Sequence, residues 1–117
     1  MKLITTLLVA GAVGLVAAAS ASPMAPVKLT GTVGPGFTIS LKQAGKTVKL
    51  LKAGRYTFVV SDKSDIHNFH LTGPGVNKAI TQVSDVGTKT VTLTLKKGTY
   101  TYKCDVHPTM VGHFKVA

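Results

Sequence analysis

The chain has 117 residues, 14 Lys and Arg against 4 Asp and Glu, a formal net charge of +10 and one cysteine. That length serves a single domain with one modest core, and a lone cysteine excludes an internal disulfide scaffold. The basic excess favours acidic partners, but its residues recur singly or in pairs and are not interleaved with aromatics, which argues against a nucleic-acid stacking platform.

The first element in chain order stands outside that domain. Met1-Lys2 is followed by an apolar run, Leu3 to Ala19, and then by Ala19-Ser20-Ala21 and the stretch SPMAP. A basic start, an apolar middle and a small-residue exit predict a secretory signal peptide over residues 1–21, cleaved after Ala21. The domain is then 22–117, exported to a periplasm or to the cell exterior. A retained anchor is the alternative, because the run is about 17 residues long, at the lower limit for spanning a bilayer. Outside the reducing cytosol an unpaired cysteine calls for a reason. It pairs between chains, lies inert in the core, acts as a nucleophile or binds a metal.

From Phe37 onward the sequence alternates. Phe37, Ile39 and Leu41 form one set, and Tyr56, Phe58 and Val60 another. Val91, Leu93 and Leu95 follow, then Tyr100, Tyr102 and Cys104. A period of two in Val, Thr, Ile, Tyr and Phe marks half-buried strands. Gly34-Pro35-Gly36, Ala44-Gly45, Ala53-Gly54, Gly73-Pro74-Gly75 and Lys97-Gly98 supply the turns. Val76 to Val86 reads as irregular, with at most one short strand. The pattern predicts an all-β protein of seven or eight strands, a β-sandwich or a small barrel.

The chemistry concentrates near the C-terminus, in YTYKCDVHPTMVGHF from Tyr100 to Phe114. Cys104, His107 and Met110 share one tight loop between two strands. Thiolate, imidazole and thioether together favour a soft transition metal, and two histidines, a cysteine and a weak axial methionine make a blue-copper donor set. The second histidine comes from SDKSDIHNFHLTGPG, which holds His67 and His70. Three residues apart on a strand, they face opposite sides. His67 shares parity with Phe69 and Leu71, which favours it over His70. Asp65 and Asp105 read as turn formers, and His113 as solvent-facing.

The loop C-D-V-H-P-T-M, the upstream D-I-H-N-F, the Tyr100-x-Tyr102-x-Cys104 approach and the Met110-x-Gly112-x-Phe114 exit resemble the cupredoxins, small blue copper proteins of the plastocyanin and amicyanin kind. The resemblance implies an eight-stranded Greek-key β-sandwich with one copper at one end. It implies His67, Cys104 and His107 as strong ligands and Met110 as the axial one. It gives Asn68 a hydrogen bond to the cysteine sulfur and a tie between the two ligand segments. The implied function is single-electron transfer between redox partner proteins by a monomer that is not an enzyme. The surface lysines would steer partners with acidic docking surfaces. An apolar rim of Pro108, Pro74 and the Gly34-Pro35-Gly36 loop would form the electron port. A copper store or delivery protein with the same ligands is the alternative. A zinc site using His67, His70, Cys104 and His107 is the less favoured one, and a Cys104 hydrolase finds no substrate pocket in so small a body.

Overall fold

The structure, a computed structural model, describes residues 25–117 together with Gly11 and Gly14. The expected cleavage site and almost all of the expected signal peptide lie outside the described residues. Among the described residues every regular element is a strand: β1 (Val27–Val33), β2 (Ile39–Gln43), β3 (Lys46–Thr47), β4 (Leu50–Leu51), β5 (Gly54–Asp62), β6 (His70–Gly73), β7 (Val76–Ala79), β8 (Gly87–Leu95), β9 (Gly98–Lys103) and β10 (Val111–Val116). Ten strands replace the expected seven or eight because the stretch after the Ala44-Gly45 turn breaks into two-residue pairings, and because Val76–Ala79 is ordered as β7. No helix among the described residues is long and apolar enough to cross a membrane.

The strands form two five-stranded sheets, in the orders β3-β2-β1-β5-β8 and β4-β10-β9-β6-β7. β1 runs parallel to β5, and β4 runs parallel to β10. The alternating residues form the shared core. Leu41, Phe58 and Val60 of the first sheet meet Leu71, Tyr100 and Phe114 of the second, all buried. Phe69 stacks on Tyr102 and Tyr100 on Phe114, with centroids 5.5 and 5.2 Å apart. Burial pushes the Tyr102 phenol above its ordinary pKa, and a backbone bond at Leu41 partly offsets this.

One device is used twice. Tyr56 donates its hydroxyl to the Lys52 carbonyl at 2.7 Å, and Tyr100 donates to the Lys96 carbonyl at 2.8 Å, each four residues upstream. These are tyrosine corners. Each follows a glycine with positive φ, Gly54 at 156° and Gly98 at 146°, where a side chain would be strained. The two corners pin the loops into β5 and β9 at one end of the sandwich. The other end carries the loops 34–38, 63–69, 80–86 and 104–110.

Phe37 departs from its expected role. It lies before β2 rather than in it and is 66% exposed, so the core set of β2 begins at Ile39.

Candidate metal centre

β9 ends at Lys103, and Cys104 follows with its side chain buried. The loop then closes on itself. The Met110 amide donates to the His107 carbonyl at 2.9 Å, and the Cys104 amide donates to the Met110 carbonyl at 3.0 Å. Pro108 lacks a donor and suits this short return. Met110 is buried and packs in one small cluster with Cys104, Val33 and Ile39. His107 is the half-buried member of the loop.

His67 arrives from the 63–69 segment between β5 and β6. Lys63 N donates to the Val33 carbonyl at 2.9 Å at its start, and Phe69 N donates to Thr81 Oγ1 at 2.9 Å at its end. Between these ties His67 is fully buried. Its Nδ1 lies 2.9 Å from His107 Nδ1 and 3.9 Å from Cys104 Sγ, and His107 Nδ1 lies 3.6 Å from that sulfur. These edges suit a metal about 2.0–2.3 Å from each nitrogen and sulfur. With both rings neutral and the thiol ionised, lone pairs converge on one point, and a cation there resolves the repulsion. His67, Cys104 and His107 are the one group of this kind among the described residues.

His70 points elsewhere. Its Nδ1 meets both carboxylate oxygens of Asp105 at 2.9 and 3.0 Å, and its Nε2 meets Asn77 Oδ1. With oxygens at both ring nitrogens, each N–H of the ring finds an acceptor. This removes His70 from the zinc set that needed it. Asn68 joins the two ligand segments, but through Asp105: Asn68 Nδ2 donates to Asp105 Oδ2, and the Asp105 amide donates to Asn68 Oδ1, both at 2.8 Å. Burial works against the Asp105 carboxylate. The bonds from Asn68 and His70, with the charges of His70 and Lys103, outweigh it and hold its pKa below the ordinary value. His113 is exposed and shares a bond with Thr101.

Sequence reading missed two residues. Asp105 passed as a turn former, although its place beside Cys104 and the parity of His70 with Asn68 were both visible. Phe37 passed as a strand residue. It stands edge-on to both histidine rings, with centroids 5.2 Å from His67 and 5.0 Å from His107. Pro74 drops out of the expected apolar rim. It lies against Gly98 at the tyrosine-corner end, while Pro35 and Pro108 lie in loops of the metal end.

No family model and no curated protein matches the sequence. Solved structures match in fold. A rusticyanin variant aligns with a TM-score of 0.54 at 26% identity, over 79% of this chain and 77% of that one. Auracyanin A, a blue copper protein from the green thermophilic photosynthetic bacterium Chloroflexus aurantiacus, aligns at 0.52 and 23% identity, over 80% of this chain and 100% of that one. A reduced amicyanin variant aligns at 0.50 and 18% identity, over 81% and 87%. The chain has the cupredoxin fold. Its His67, Cys104 and His107 grouping, at one end of that sandwich, is suited to copper.

Proposed function

We propose that this chain is an exported mononuclear type-1 copper protein that carries single electrons between redox partners and is not an enzyme. One observation carries the reading: two imidazole nitrogens and the cysteine sulfur converge at a largely buried site, with the Met110 side chain packed in one cluster with Cys104. Copper would supply the one-electron couple. The protein's part is to hold His67, Cys104 and His107 in an arrangement both oxidation states tolerate, with Met110 as the weak fourth donor. The two closing bonds of the 104–110 loop and the Asn68–Asp105 tie supply that rigidity. His107, half-buried beneath Phe37, gives the electron its shortest way to the surface. The leader-like Met1–Ala21 sequence supports export to a periplasm or beyond the cell.

A copper store or delivery protein would use the same ligands. Full burial of His67 and Cys104 favours retention of the metal over hand-over. The expectation of acidic docking partners fares less well, because the excess positive charge is absent from the metal end, as described below.

The test is an optical and EPR titration of the chain with Cu(II), with Cys104→Ser, His67→Ala and His70→Ala beside it. An intense visible thiolate-to-copper band is expected at one equivalent. It should be lost in Cys104→Ser and His67→Ala and kept in His70→Ala. A colourless protein that takes up zinc and requires His70 would overturn the proposal. Mass spectrometry of the exported protein reads the cleavage site, expected after Ala21.

A further inference from the structure

The charge of this chain is spread along the sequence but not over the molecule. The strand registers place each charged residue along the sandwich axis. β5 starts at the tyrosine-corner end and finishes at the metal end; β1 runs with it, and β8 and β10 run with their ends set by Gly54↔Leu95 and Val116↔Gly98. At the tyrosine-corner end stand Lys52 and Arg55 at the start of β5, and Lys96 and Lys97 in the β8–β9 turn. Lys28 and Lys115 sit one residue inside the strand ends there. All six are exposed. Lys42, Lys46 and Lys49 continue the positive surface along the β2–β4 edge. No acidic residue lies among them.

The metal end differs. It holds all four acidic residues of the chain, Asp62, Asp65, Asp85 and Asp105. They are matched by Lys63, Lys78, Lys89 and Lys103. The metal end is therefore close to neutral and the opposite end strongly positive. A field this lopsided orients the molecule toward an anionic surface at contact range.

We propose that the tyrosine-corner end is a docking face for an anionic lipid surface, which holds the sandwich with its metal end turned outward. Two observations favour lipid over other polyanions. Leu50, 66% exposed, and Val27, 39% exposed, sit among these cations. Lysine stems lie along such apolar surface while their ammonium groups reach the headgroups. The aromatics of this end, Tyr56 and Tyr100, are buried in their corners and offer no stacking platform for bases. The corners fix the backbone that carries Lys52 and Lys96 at this end.

The face is independent of the copper reading, and its assay needs no metal. The exported chain, residues 22–117, is cosedimented with vesicles of phosphatidylcholine alone and of phosphatidylcholine with phosphatidylglycerol, at low and high salt. The difference between the two vesicles reads the cations. Two variants of equal net charge are compared. One joins Lys52→Gln, Arg55→Gln, Lys96→Gln and Lys97→Gln; the other joins Lys63→Gln, Lys78→Gln, Lys89→Gln and Lys103→Gln. Unchanged urea midpoints establish that both are folded. The wild type is expected to favour the anionic vesicles by about tenfold or more at low salt and to lose that preference as salt rises. The first variant should lose the preference and the second keep it. No preference for anionic vesicles, or equal loss in both variants, would overturn the proposal. So would displacement from anionic vesicles by double-stranded DNA at matched charge, which would make the face a general polyanion binder.

Discussion

Asn68 and Asp105 exchange two hydrogen bonds of 2.8 Å, side chain to side chain and side chain to backbone. Asn68 follows His67 in sequence, and Asp105 follows Cys104. One amide therefore sets the spacing between the two segments that carry the candidate metal donors. Asn68 is buried, and the group it serves is a carboxylate. Asn68→Ala should cost about 2 kcal/mol, the range for buried bonds to a charged partner. Urea unfolding of the metal-free chain measures this, with the slope unchanged. The copper band of this variant should broaden rather than vanish, because no donor has been removed.

The lowered pKa of Asp105 gives stability a sign with pH. The folded state favours the ionised carboxylate, so this contribution is present above the ordinary value of 3.8 and is lost as pH falls through the lower folded value. The side chain is 38% exposed, so solvent screening keeps the effect small. Compared with Asp105→Asn, the wild type should hold an advantage at pH 6 that shrinks steadily below pH 4. His70→Ala should move the Asp105 titration, followed by carboxylate NMR, back toward 3.8, because it removes a bond and a charge together. His70→Gln, which keeps a donor, should restore part of the shift. An Asp105 titration unmoved by His70→Ala would show that the histidine does not act on the carboxylate.

Phe37 is largely exposed, yet it covers both histidine rings edge-on. Edge-to-face aromatic contacts are worth about 0.5–1.5 kcal/mol beyond area burial. Phe37→Ala should lower global stability by about 1 kcal/mol or less, because little of the residue is in the core. Its effect on the site should be larger. With the cover gone, a chelator should remove Cu(II) several-fold faster, measured as decay of the visible band. A release rate equal to that of the wild type would show that the ring is not a lid on the metal.

Much of this architecture is legible from residue types. Tyr100, Tyr102 and Cys104 alternate, and all three are buried as their parity requires. His67 is buried and His70 faces Asp105, as the sequence suggested, but 67–69 lies before β6 and Asn68 between them is buried too, so strand parity is not what separates them. What stayed hidden depends on partners distant in sequence. Asp105 became a hub only when the fold set it against Asn68 and His70, more than thirty positions upstream. Phe37 sat in an alternating set and gave no sign that its strand begins two residues later. The lysines were unclustered in sequence, and only the strand registers show that their excess over the aspartates lies at one end. Short-range periodicity reports which face a residue takes, but not which strand's residue it will meet there.

Gly112 tests how closely the second sheet is packed behind the donors. It pairs with Tyr102 across β9 and β10. A Cβ at Gly112 would run into Tyr102 Cζ and its hydroxyl oxygen, well inside contact distance. The ring has little room to retreat, because it also stacks on Phe69 at an interplanar angle of 3°. Overpacking of this kind costs about 1–3 kcal/mol. Gly112→Ala should fall at the upper part of that range in urea unfolding. The strain should also reach the site, since Tyr102 precedes Cys104 by two residues and Gly112 follows Met110 by two. The variant should therefore show a shifted copper band as well as lower stability. Gly36→Ala is the control, because a Cβ there meets open space; its stability should change by about 0.5 kcal/mol or less, in either direction. Equal stability of the two variants would mean that β9 and β10 can part at Tyr102 without cost, and that the close stacking behind the donors is not what holds them.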